Sequence, residues 1–270
     1  MKNKSLYYVG IGILVVLLIV IISFVRKPNA NSEVAKQVET PPQIQKVNDI
    51  PLSQRPFVQM LIRPAEKNCE GMDLMVSNFH SNETNFDYFM EYETQKGLIE
   101  VINGNRDLIV EKTHDPLLFG TCSSSACTCQ KVVDGSLKLT FSSANGEYVL
   151  KNDFVYANVG DKKGIIKSKD LRLTLDIGTV LANRNNVLIG SSFGLPGELN
   201  EKVVLGPYYI SSYGVDKLSK TVKAFFQTKD SMGGKVQFWN GENWKEIPST
   251  VEGEKLSFEI DQFGTIVLTE

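Results

Sequence analysis

The stretch GSLKLTFSSANGEYVLKND, residues 135–153, decides how the rest of the chain reads. Leu137, Leu139 and Phe141 alternate with Lys138 and Thr140. Successive side chains on a strand point to opposite faces, so this period of two gives one apolar face and one polar face. Ala144-Asn145-Gly146 follows, with residue types that tolerate the positive φ of a tight turn. The stretch therefore reads as a β-hairpin with one buried face.

The same texture extends in both directions. FVQMLI (57–62), MDLMVSNF (72–79) and NFDYFMEYE (85–93) are β-prone and half apolar. GLIEVINGNRDLIVEK (97–112) reads as a second hairpin, turning at Asn103-Gly104-Asn105. In KDLRLTLDIGTV (169–180), Leu171, Leu173 and Leu175 alternate with Arg172, Thr174 and Asp176. KTVKAFFQT (220–228), GKVQFWNGENWKEI (234–247), EKLSFEI (254–260) and GTIVLTE (264–270) read as successive strands. Asn240-Gly241-Glu242-Asn243, between Trp239 and Trp244, reads as a hairpin tip. Many short strands with regular turn signals imply an all-β body of one or two β-sandwich domains. The polar stretch GDKKGIIKSKD (160–170) suggests a division into residues 57–165, which hold the cysteines, and residues 166–270.

Upstream the texture is different. Residues 6–25 carry no charge and are dominated by Leu, Ile and Val. At about 1.5 Å per residue, a helix of about 20 residues crosses a hydrocarbon core of roughly 30 Å. Tyr7 and Tyr8 stand where interfacial aromatics belong. A cleaved signal peptide has a shorter apolar core and a small-residue cleavage site. Here Ser23-Phe24-Val25-Arg26-Lys27-Pro28 follows, so an uncleaved signal-anchor is expected within residues 1–27. Lys2 and Lys4 on one side nearly balance Arg26 and Lys27 on the other. The short amino-terminal tail ahead of a strand-rich body points to a cytoplasmic amino terminus and an extracytoplasmic body at the plasma membrane. The partner of residues 6–25 is then the lipid bilayer. Residues 28–56, rich in Pro, Asn, Gln, Ser and Glu, read as a flexible stalk.

The chain has 270 residues, 42% hydrophobic and 22% charged, which suits a globular body. Its net charge of -2, with Lys and Arg scattered, gives no basic face for nucleic acid. The segment KLSKTVKAFFQTKDSMGGKVQFWNGENWKEIPSTVEGEKLSFEIDQFGTIVLTE (217–270) resembles the final strands of the β-sandwich modules of netrin receptors and ankyrins. There a K-x-V-x-A-x-F strand precedes an aromatic strand, a Trp-bearing turn, an L-S-F-E-I strand and a terminal F-G-x-x-V-L strand. The resemblance covers about a fifth of the chain and implies a folding module without catalytic residues.

Cys69, Cys122, Cys127 and Cys129 form an even set, which in an oxidising compartment points to disulfides. Cys127 and Cys129 share one face of a strand and cannot easily bond each other. Cys122 faces them across Ser123-Ser124-Ser125-Ala126, so a bridge to Cys127 or to Cys129 leaves the other to reach Cys69. The alternative is a thiolate metal site on the same four residues, although C-x4-C-x-C departs from the usual paired spacing.

Other chemistry is thin. His80 and His114 are the only histidines, and no G-x-S-x-G, H-E-x-x-H or phosphate-binding G-x-x-x-x-G-K-S/T motif is present. No cofactor and no catalysis are expected. Aromatic side chains concentrate at Phe86, Tyr88, Phe89 and Tyr92, at Tyr208, Tyr209 and Tyr213, and at Phe238, Trp239 and Trp244. On a sandwich, exposed aromatics stack on sugars or anchor protein partners, and Trp239 and Trp244 at the hairpin tip are the candidates. The chain reads as a membrane-anchored surface protein that binds, adheres or builds the envelope, with a protein or glycan partner. The alternatives are an envelope hydrolase acting on glycan or peptide, and a metal-binding or redox ectodomain built on the cysteines.

Overall fold

The hairpin of residues 135–153 forms, and it lies near the middle of the largest sheet. The computed structural model describes residues 46–270 apart from 67–68, 80–81, 109–111, 124–125, 145, 216 and 229–232. Strands β1 (Phe57–Glu66), β2 (Cys69–Ser77), β3 (Glu83–Thr94), β4 (Ile99–Asp107) and β5 (Lys112–Leu118) come first. They are followed by β6 (Gly120–Cys122), β7 (Cys127–Cys129), β8 (Val132–Ser143), β9 (Gly146–Asn158), β10 (Ile165–Lys167) and β11 (Leu173–Asp176). The remainder are β12 (Asn186–Ser191), β13 (Val203–Ser211), β14 (Val222–Gln227), β15 (Lys235–Trp239), β16 (Trp244–Ile247), β17 (Ser249–Glu252), β18 (Lys255–Ile260) and β19 (Thr265–Thr269). Among the described residues the only helix is one turn of 3-10 helix, Leu52–Gln54. The body is all-β, as expected.

Nine strands form one antiparallel sheet in the order β16-β15-β19-β13-β12-β9-β8-β3-β4. A three-stranded sheet, β1-β2-β5, and a five-stranded sheet, β10-β11-β14-β18-β17, pack against it. They cover opposite faces, as the alternation within single strands shows. On β12, Val187 and Ile189 join the core shared with the five-stranded sheet, while Leu188 joins the core shared with the three-stranded sheet. On β13, Tyr208 and Ile210 point to the first core and Tyr209 to the second. At β12 and β13 the body is therefore three sheets deep. Strands buried on both faces lose the polar alternation of a half-solvated strand. The expected division near residues 160–170 does not separate the two cores in sequence: Ala157 and Val159 join the first, Leu188, Phe193 and Tyr209 join the second, and the nine-stranded sheet takes strands from both sides of it.

Further out, the sheet is covered on one face and alternation returns. On β3, Phe86, Tyr88, Met90 and Tyr92 are buried, while Asp87, Phe89, Glu91 and Glu93 face solvent. On the core side, Arg106 of β4 pairs with the buried Asp115 of β5 and ties the edge of the large sheet to that of the small one.

Two local readings change. Asn103-Gly104-Asn105 makes no turn: it lies inside β4, in register with β3 from Asn85↔Asp107 to Glu93↔Ile99. Gly104 is there for a close approach, because a Cβ would meet the Tyr88 hydroxyl. The turn instead occupies residues 95–98, where Gly97 takes φ 72°. Leu171 does not face the core with Leu173 and Leu175. It is 65% exposed at φ 64°, in a turn held by Asp170 Oδ1, which accepts from the Arg172 N–H and from Ser168 Oγ.

Residues 47–55, at the carboxyl end of the expected stalk, are fastened to the body. Val47 bridges Val149 in parallel, the Asn48 side chain bonds both the N–H and C=O of Lys151, and the Arg55 guanidinium donates to the carbonyls of Asn48 and Ile50. The expected span over residues 6–25 lies outside the described residues. Among the described residues no helix is long and apolar enough to cross a membrane.

Candidate functional site

The cysteines form two bridges. Cys122 pairs with Cys127 across the β6–β7 hairpin, with Cα atoms 4.1 Å apart, and Cys69 pairs with Cys129 at 4.9 Å. This is the first of the two arrangements that the strand geometry allowed. The sulfurs of Cys69, Cys122 and Cys127 lie within 4.8 Å of one another. A metal needs thiolates, and in this bridged state all four sulfurs are bonded. Cys69 is fully buried whereas Cys122 and Cys129 are exposed; the Cys69–Cys129 bridge fastens β2 to the connection that leads into β8, and Cys122–Cys127 closes the hairpin within it. His80 lies outside the described residues, and so does the side chain of His114 on β5.

Most of the aromatic concentration is core. Phe86, Tyr88, Tyr92, Tyr208, Tyr209 and Phe238 are buried, while Phe89 and Tyr213 are exposed. Trp239 and Trp244 face each other across the hairpin tip, centroids 5.5 Å apart and edge to face. The tip is shaped by Asn240, whose Oδ1 accepts from the N–H groups of Glu242 and Asn243. Trp244 is half-buried: its indole N–H donates to the Gly197 carbonyl at 3.2 Å. Trp239 lies against Gly197, where a Cβ would strike its ring. The loop that carries Gly197 is held from the other side by Asn78, which donates to the carbonyls of Leu195 and Pro196. The tryptophan pair and this loop therefore brace each other.

Beside Trp239 opens a groove of about 920 Å³. Its floor is where the edge strand β1 crosses the nine-stranded sheet near β13 and the turn before β19. Tyr213, Trp239 and Phe263 supply aromatic surface, Phe57 is buried, and Gln59, Asn240 and Gln262 supply amides. Among the described residues no Asp, Glu, Lys, Arg or His lines it. Tyr213 is 57% exposed and free to stack.

The edge of β1 is closed by serines. Ser192 Oγ donates to the Val58 carbonyl at 2.8 Å; Ser211 Oγ donates to the Met60 carbonyl at 3.3 Å and accepts from the Ile62 N–H at 3.4 Å. These hydroxyls occupy backbone groups that an added strand would need.

Ile62, Ser212 and Tyr213 also line a second cavity of about 440 Å³, with Arg63, Glu70, Arg184 and Asn186. Glu70, Tyr156 and Asn186 in turn border a third of about 310 Å³, with Lys131, Asp161 and Lys162. Asn186 Nδ2 donates to Glu70 Oε1 at 3.0 Å and to the Tyr156 hydroxyl at 3.3 Å, and Asn158 Nδ2 donates to Asn186 Oδ1 at 3.2 Å. Burial raises the pKa of the Glu70 carboxyl above its ordinary value, against the opposing effects of the Asn186 hydrogen bond and the Lys131 charge. Burial, then the Glu70 charge, raise that of the Tyr156 phenol.

Of the groove residues, the sequence marks Trp239 and Tyr213 as aromatics and Asn240-Gly241 as the hairpin tip. Gln59, Gln262, Phe263, Glu70, Arg184 and Asn186 come from distant segments and carry no local signature. No family model matches the chain, no curated protein matches it, and no solved structure matches it.

Proposed function

We propose that the chain is a non-catalytic binding protein, held at the plasma membrane by residues 6–25, whose extracytoplasmic β-sandwich body takes a saccharide chain into the groove beside Trp239. The observation that carries this reading is the lining: aromatic faces and amides with no charged side chain among the described residues. Aromatic rings stack on the apolar faces of sugar rings, and amides satisfy hydroxyls in both directions. A peptide adding to the sheet edge would need free backbone groups, and the serines already occupy those of Val58, Met60 and Ile62. The two bridges support a body outside the cytoplasm, because disulfides persist in oxidising compartments. The resemblance of residues 217–270 to modules of netrin receptors and ankyrins accords with a non-catalytic role.

The test is calorimetric titration of the detergent-solubilised full chain with cellohexaose, chitohexaose and maltohexaose. At least one should bind, and Trp239→Ala should weaken it about fivefold or more, the loss expected of a contact worth over about 1 kcal/mol. Binding by none, or undiminished binding by Trp239→Ala, overturns the reading; saturable binding of an extended peptide instead would put the groove in the protein-partner class.

The sulfur cluster favours a second reading, a redox ectodomain. An external dithiol can reach the exposed Cys122, and the sulfurs of Cys127 and Cys69 lie within 4.8 Å of it. Graded reduction followed by thiol mapping should then yield a bridge between Cys69 and Cys122 or Cys127. Bridges that open without exchange would refute that reading.

A further inference from the structure

The uncharged groove does not end at Tyr213. Ile62, Ser212 and Tyr213 line both the groove and the 440 Å³ cavity, so the two adjoin and a chain lying over Tyr213 reaches the edge of the second. Beyond, Glu70, Tyr156 and Asn186 belong both to that cavity and to the 310 Å³ one. The three spaces thus follow one another along the surface, and their character changes in one direction.

Among the described residues, none that line the Trp239 end is charged. The next space has Arg63 and Arg184 against one carboxyl, Glu70. The last has Lys131 and Lys162, with Glu70 and Asp161. Arg63 is committed to Asp73 at 3.7 Å. Among the described residues, Arg184, Lys131 and Lys162 make no salt bridge, and Asp161 accepts from the Gln95 side chain. Glu70 is held by Asn186 within the wall. Arg184, exposed beside Asn185 and Asn186, is the first uncommitted cation that a ligand meets on leaving the groove.

We infer that the ligand is an acidic saccharide: neutral rings lie along Trp239 and Tyr213, and an anionic substituent, carboxylate or sulfate, lies against Arg184. The inference rests on the saccharide reading above and narrows it. A guanidinium matches either oxyanion by its planar fork of donors, and lysines farther along the trench add attraction that salt screens. Glu70 sets the limit of the site: its carboxyl faces the same cavity, so the anion belongs at the Arg184 side and not at the Asn186 wall.

The test uses the full chain in detergent and the best-binding neutral hexaose from the panel. The same hexaose is prepared with a terminal uronic acid and, separately, with a single sulfate on a primary hydroxyl. At low ionic strength at least one acidic form should bind about two- to fivefold tighter than the neutral one, the upper range of one exposed ion pair. The advantage should shrink in high salt. Arg184→Gln should remove the difference between acidic and neutral forms, and Trp239→Ala should weaken all forms alike. The two acidic arms tell which oxyanion is preferred. Equal affinity of neutral and acidic forms, or an advantage that survives Arg184→Gln, overturns the inference and leaves a neutral-glycan groove standing. Binding by no saccharide sinks both.

Discussion

The two bridges enclose loops of very different length, and this makes their stabilities separable. Cys69 and Cys129 are 60 residues apart in sequence, Cys122 and Cys127 only 5. A cross-link restricts the unfolded chain by an entropy that grows with the logarithm of the loop. At room temperature that amounts to about 4 kcal/mol for the long loop and about 2 kcal/mol for the short one. The native side adds to the difference. Cys69 has no exposed surface, so truncation there removes packed atoms, whereas Cys122 is exposed and its loss opens no cavity. The measurement compares Cys69→Ala/Cys129→Ala with Cys122→Ala/Cys127→Ala by urea denaturation of the oxidised full chain in detergent, followed by circular dichroism. The long-bridge variant should lose about 2 kcal/mol more than the short-bridge variant, and its denaturant slope should rise as the unfolded chain expands. Equal losses, or a larger loss from the short bridge, would refute the reasoning.

Leu188 points into one core from a strand whose neighbours fill the other, so Leu188→Ala should cost about 2–5 kcal/mol by denaturant titration, while the exposed Leu171→Ala should stay within about 0.5 kcal/mol. Glu70→Gln keeps an acceptor for Asn186 but removes a carboxyl whose folded pKa lies above its ordinary value. The protonated form is favoured by folding, so its contribution is fully present below the unfolded pKa of about 4.3 and is lost as pH rises through the folded value. The variant should therefore melt higher than the wild type at neutral pH and equally at pH near 3; a gap largest in acid would contradict the assignment. Protease added to intact cells should remove the body and leave a small protected amino-terminal fragment; a body protected even where the outer layer is permeable would reverse the topology.

What the sequence revealed depended on which faces meet water. β3 and β8 each have one solvated face, and their alternation is plain in FDYFMEY and LKLTF. β12 and β13 lie between two cores, and NVLIGS and VVLGPYYIS show no period of two, so neither was read as a strand. Asn103-Gly104-Asn105 has turn composition, yet its glycine answers to the Tyr88 ring on the neighbouring strand. Strand geometry narrowed the disulfides to two arrangements because Cys122, Cys127 and Cys129 are local, and the structure selects the one with Cys69 joined to Cys129. The groove was only half legible. Trp239 and Tyr213 draw attention as aromatics, but Phe57, Gln59 and Phe263 reach them through pairings that span most of the body. Arg184 and Glu70 have no sequence feature that separates them from other surface charges.

The groove is not the only surface with an exposed aromatic. On the solvent face of the large sheet, Phe89 is 40% exposed, with Asp87, Asn103, Asn105 and Lys138 around it in a hollow of about 600 Å³. That hollow is ringed by charges, unlike the groove. A crystal structure of the chain with its best-binding hexaose separates the two. The account predicts sugar rings stacked on Trp239 and Tyr213 with hydroxyls bonded to Gln59, Asn240 or Gln262. A hexaose lying over Phe89, with the Trp239 groove empty, would contradict it.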